Sequence, residues 1–91
     1  MAFQLILTGH VQGVFCRDYC RNTATKLKVK GSAKNLPDGT VQVLLDTADK
    51  EKIEEFKVTL LANPFDFKFY GKIEEIRVSH YDGSFMGDYI F

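Results

Sequence analysis

Arg17 and the loop leading to it are the residues best suited to chemistry. The stretch Gly9-His10-Val11-Gln12-Gly13-Val14-Phe15-Cys16-Arg17 follows the apolar run Phe3 to Leu7 and precedes a segment of helical periodicity. Two glycines in a strand-to-helix loop let the backbone turn tightly and aim successive N–H groups at one point. The helix opening next adds the positive end of its dipole, and Arg17 adds a planar fork of N–H donors. A cation in a first helical turn is unfavourable unless an anion lies between it and the helix end. The stretch reads as a phosphate cradle, against the plainer alternative of a glycine-bearing loop with a solvated arginine.

Asn35 is the second chemical residue. It shares a parity with Val29, Gly31 and Ala33 and stands just before the turn Leu36-Pro37-Asp38-Gly39. A carboxamide offers an acceptor and two donors without charge, so it can hold a water beside an anion that would repel a carboxylate.

The elements that must position these residues follow from periodicity. Phe3, Leu5 and Leu7 alternate with Gln4, Ile6 and Thr8, giving a first strand whose Ile6 suits a central place. Cys16, Cys20, Thr23, Ala24 and Leu27 recur at helical spacing. The run from Val29 to Asn35 and the run Val41, Val43, Leu45 form a hairpin across Pro37-Asp38-Gly39. Thr47 is the expected cap of a second helix whose stripe is Ile53, Phe56 and Leu60 and which Asn63-Pro64 stops. Ile76 and Val78 fit a fourth strand; Ile73 is out of phase with them, which predicts a bulge or a late strand start. Tyr81 to Ser84 reads as a loop and Tyr89-Ile90-Phe91 as a short closing strand. The order β-α-β-β-α-β with an extra C-terminal strand predicts an α+β, ferredoxin-like two-layer sandwich, a mostly antiparallel sheet with both helices on one face.

Composition limits the partners. Ninety-one residues suit one domain, 1–91, with a single core. Twelve basic and twelve acidic side chains cancel, so no broad field draws nucleic acid or an anionic membrane, and phosphate binding must be local. No signal-peptide pattern opens the chain and no apolar run reaches membrane-spanning length. Cys16 and Cys20 are four apart on the first helix, an awkward disulfide spacing, and are expected as free thiols in a reducing cytoplasm.

Val11-Gln12-Gly13-Val14 followed by Arg17 resembles the signature loop of the acylphosphatases, small enzymes that hydrolyse carboxyl–phosphate anhydrides. Gly31-Ser32-Ala33-Lys34-Asn35-Leu36-Pro37-Asp38-Gly39-Thr40-Val41 resembles their second signature, which centres on Lys-Asn and then Gly-x-Val. The likeness covers essentially the whole chain. It implies that Arg17 and Asn35 are the catalytic side chains and that Gln12, Gly13, Val14, Phe15, Cys16 and Arg17 bind the substrate phosphate. It also implies acyl phosphate and inorganic phosphate as small-molecule partners, no metal or cofactor, and a cytoplasmic monomer. Cys16 and Ser32 stand where the family usually has aromatics, and Thr47 where it often has glycine; these departures touch packing and loop shape.

Other readings are weaker. Neither cysteine is followed by an arginine at the spacing cysteine-dependent phosphatases use. His10, Cys16, Cys20 and His80 lack the tight spacing of a structural zinc site. The aromatic run Phe65 to Tyr70, with Lys34 and Lys68, recommends a single-stranded RNA-binding module of similar topology, but the two central strands show Leu5, Ile6, Val43 and Leu44 instead of stacking aromatics. A silent domain that binds a phosphorylated metabolite such as carbamoyl phosphate is the nearer alternative. With 1–91 expected to be a single domain without a partner domain, the free-standing hydrolase is the expected form.

Overall fold

Alternation in the first strand decides which side of the sheet becomes the core. Phe3, Leu5 and Leu7 are buried, whereas Gln4, Ile6 and Thr8 are half-buried. The computed structural model describes residues 2–83 and 89–91. Along the chain run β1 (Ala2–His10), α1 (Cys16–Lys26), β2 (Gly31–Asn35), β3 (Val41–Leu45), α2 (Lys50–Ala62), β4 (Lys72–Tyr81) and β5 (Tyr89–Ile90). The strands lie in the order β4-β1-β3-β2-β5, with antiparallel pairing throughout. This is the expected ferredoxin-like sandwich, with β1 central. Tyr81 belongs to β4 and not to a loop, and Ser84 lies outside the described residues.

Register aligns the core. Phe3, Leu5 and Leu7 face Leu45, Val43 and Val41 of β3, which face Gly31, Ala33 and Asn35 of β2. Against this face pack Tyr19, Cys20 and Ala24 of α1 and Ile53, Phe56 and Leu60 of α2. The opposite face is tied by polar side chains: Gln42 donates to Gln4 at 2.5 Å, and Gln4 to Ser79.

The out-of-phase Ile73 is resolved by a bulge. Thr8 pairs with Glu75 but Gly9 pairs with Ile73, so Glu74 is extra and Ile73 turns to the same side as Ile76. Both isoleucines then pack on the core. Gly9 is required opposite the bulge: a Cβ there would lie 2.3 Å from the Lys72 carbonyl oxygen.

The second helix begins differently from expectation. Asp49, not Thr47, is its N-cap and accepts from the Glu51 N–H at 2.9 Å, while Thr47 Oγ1 accepts from the Asp49 N–H. Thr47 thus shapes the turn that presents the cap. After α2, Asn63 takes a left-handed conformation and exchanges two hydrogen bonds with the Phe67 backbone, both 2.9 Å. That exchange folds the aromatic segment back onto Tyr19, whose ring stacks on Phe69 at 4.8 Å and meets Phe67 edge-on.

Candidate active site

The β1–α1 loop is held from both sides. Gln12 Nε2 donates to the Leu36 carbonyl at 2.7 Å and to the Thr40 carbonyl at 2.9 Å, joining the loop to the β2–β3 turn. On the other flank the Tyr70 N–H donates to the Val14 carbonyl at 3.1 Å, and Val11 and Val14 are buried beneath. Gly13 and Phe15 both have positive φ, 75° and 67°. A left-handed phenylalanine costs on the order of 1–3 kcal/mol, so the surrounding anchors over-determine this shape.

Asn35 reaches the loop through register. It pairs with Val41, which pairs with Leu7, so the three form one row across the sheet on the helix-facing side. Two strand spacings of about 5 Å separate Asn35 from β1 near its exit into the loop. The outcome is a cavity of about 250 Å³ lined by Val11, Gly13, Phe15, Cys16, Arg17, Asp18 and Asn35. Sequence reasoning named Gly13, Phe15, Cys16, Arg17 and Asn35. Gln12 and Val14 do not line the cavity; the Gln12 side chain and the Val14 carbonyl hold the loop in place.

The electrostatics favour an anion. Helix α1 has no side-chain cap on its first turn, in contrast to α2. Its opening N–H groups lack intrahelical partners, as in any helix, and carry the positive end of the dipole. Arg17 stands in that turn, half-buried. Asp18 contributes negative charge to the wall but is paired with Arg21. The Asn35 Oδ1 is buried and has no hydrogen-bond partner among the described residues. Such an oxygen costs about 1–3 kcal/mol while unmatched.

The thiols are not set up as nucleophiles. Cys16 and Cys20 are free and buried. A hydrogen bond with Cys16, followed by burial and by the charge of Cys16, pushes the Cys20 thiol well above its usual range. Among the described residues no three His, Cys, Asp or Glu side chains converge on a metal position, and no helix is long and apolar enough to cross a membrane.

The acylphosphatase family model matches residues 3–85. An acylphosphatase of Petrotoga mobilis is 36% identical over 85 residues, covering 92% of this chain and 93% of its own. The chain belongs to the acylphosphatase family. An acylphosphatase structure from Bacillus subtilis superposes with a TM-score of 0.69 at 30% identity, covering 86% of this chain and 81% of that one. One from Coxiella burnetii gives 0.67 at 24% identity over 86% and 77%, and shares the fold. For this acylphosphatase-family chain, the residues that sequence reasoning missed are Val11 and Asp18 in the wall and Gln12 as a tether. Gln12 carried a signal: an amide side chain beside a tight loop has donors that must find carbonyls.

Proposed function

We propose that the chain hydrolyses the carboxyl–phosphate anhydride of acyl phosphates, releasing a carboxylate and inorganic phosphate. Residues 1–91 would act as one domain, as a cytoplasmic monomer. Arg17 and the loop amides of Gly13, Phe15 and Cys16, which line the cavity, hold the phosphoryl group and neutralise charge as it shifts onto the equatorial and leaving oxygens. Asn35 orients a water for in-line attack on phosphorus. A modest swing of its carboxamide into the cavity brings the unmatched Oδ1 onto that water.

The leaving group is a carboxylate, stable at neutral pH, so no strong general acid is needed, and the phosphate itself accepts the water's proton. In this reading the fixed donors do the neutralising that a metal does elsewhere. One observation carries the proposal: Arg17, the uncapped start of α1 and Asn35 line a single cavity.

The test is to follow benzoyl phosphate by its absorbance, with excess chelator present and a phosphate monoester as control. Rapid loss of the acyl phosphate alone supports the reading. Binding of inorganic phosphate without turnover would reassign the chain as a phosphate-metabolite binder.

A further inference from the structure

Beyond the cavity wall stands a cluster that holding a phosphoryl group does not require. Phe15 lines the cavity and is 51% exposed; the ring of Tyr70, a residue 67% exposed, meets the Phe15 ring edge-on at 5.6 Å. Lys68 Nζ sits 5.1 Å from the Phe15 ring centroid and 6.0 Å from that of Tyr70. Rings of this kind hold an ammonium by their electron-rich faces. Among the described residues no carboxylate forms an ion pair with Lys68.

These contacts have a common cause. Phe15 sits in a left-handed turn with its residue half exposed, and the Tyr70 N–H bond to Val14 brings the 63–71 segment alongside. A positive charge is thereby anchored on a ring of the cavity wall, on a chain whose net charge is zero. With the phosphoryl group on the loop amides and Arg17, the acyl end of the substrate has to leave the cavity past one of its walls. Beside the Phe15 wall stands Lys68, which among the described residues forms no ion pair with a carboxylate.

We infer that Lys68, seated on Phe15 and Tyr70, is a specificity-determining residue that selects acyl phosphates whose acyl group carries a second negative charge. This deepens the proposed function and rests on it. Lys68 acts on the acyl end and not on the phosphorus, so its effect is a preference between substrates.

The test compares 4-carboxybenzoyl phosphate with benzoyl phosphate, which differ by one carboxylate too remote to attack its own anhydride. The ratio of their kcat/KM values is measured for the unaltered protein, Lys68→Gln and Lys68→Arg. The inference expects the carboxylated substrate to be favoured and the ratio to fall in Lys68→Gln by up to about fivefold, the upper end for an exposed ion pair. Lys68→Arg should keep most of the ratio, and added salt should shrink it. A ratio unmoved by Lys68→Gln, with benzoyl phosphate still hydrolysed, overturns the role of Lys68 alone. Failure of the unaltered protein to hydrolyse either compound overturns the proposed function as well.

Discussion

Gln12 and Leu36 are joined by a 2.7 Å hydrogen bond from the Gln12 side chain to the Leu36 carbonyl. Through it the loop that precedes Arg17 is fixed to the turn that follows Asn35. Gln12→Ala removes this bond and the one to Thr40. Neither carbonyl is orphaned, because the Gly39 N–H also reaches Leu36 and the Leu36 N–H reaches Thr40. The stability loss should therefore be only about 1–2 kcal/mol. Activity should fall further, on the order of tenfold to a hundredfold, since small misplacements at a reacting centre cost that much. Urea unfolding beside kcat/KM checks the contrast.

The other flank of the loop has no room for a side chain. A Cβ on Gly71 would lie 2.0 Å from the His10 carbonyl oxygen and 2.5 Å from Val14 Cγ2. Gly71→Ala must push the 63–71 segment away from the loop, at about 1–3 kcal/mol. The measurable outcome is a lower denaturation midpoint together with a weaker grip on inorganic phosphate.

Tyr19 gives a pH signature to the core. Burial, reinforced by the nearby Cys20 and Cys16 thiols, pushes its hydroxyl up to about 12 from an ordinary value of 10, and the hydroxyl donates to the Leu60 carbonyl at 2.5 Å. Because the folded state raises this pKa, the associated stability is fully present below pH 10 and is lost as pH rises through 12. A shift of this size corresponds to about 3 kcal/mol. Tyr19→Phe should cost about 1 kcal/mol at neutral pH and remove that part of the alkaline decline. Parallel unfolding curves from neutral pH to pH 12 provide the check.

Thr47 and Asp49, both ahead of α2, separate a turn from a cap. Asp49→Ala should destabilise by about 1 kcal/mol, the usual loss when a side-chain cap is removed. Thr47→Ala should cost less, since it loses only the bond to the Asp49 N–H. Thermal melts of the two variants decide the order.

Much of this was legible in the chain itself. Alternation placed Leu5, Leu7, Val41 and Val43 on one face, and the broken phase at Ile73 announced the bulge at Glu74. The Thr47 expectation failed because two capping-type residues, Thr47 and Asp49, stand two positions apart and compete, and the start of the helix decides between them. Tyr19 was not assigned to the core because its partners, Phe67 and Phe69, come from an irregular segment with no period to read. The Gln12 tether and the Lys68 seat depend on side chains that meet across a large sequence separation. Local pattern does not encode such meetings; the sheet register and the left-handed turn at Phe15 do.

The most direct test of the account is a pair of single substitutions read by two numbers, kcat and the inhibition constant for inorganic phosphate. Arg17→Ala should lose turnover and phosphate inhibition together, because the guanidinium touches ground and transition states alike. Asn35→Ala should depress kcat on the order of a hundredfold to a thousandfold, as loss of a placed polar group does, while leaving phosphate inhibition nearly intact. Normal turnover by Asn35→Ala would contradict the claim that Asn35 steers water onto a phosphate held at Arg17.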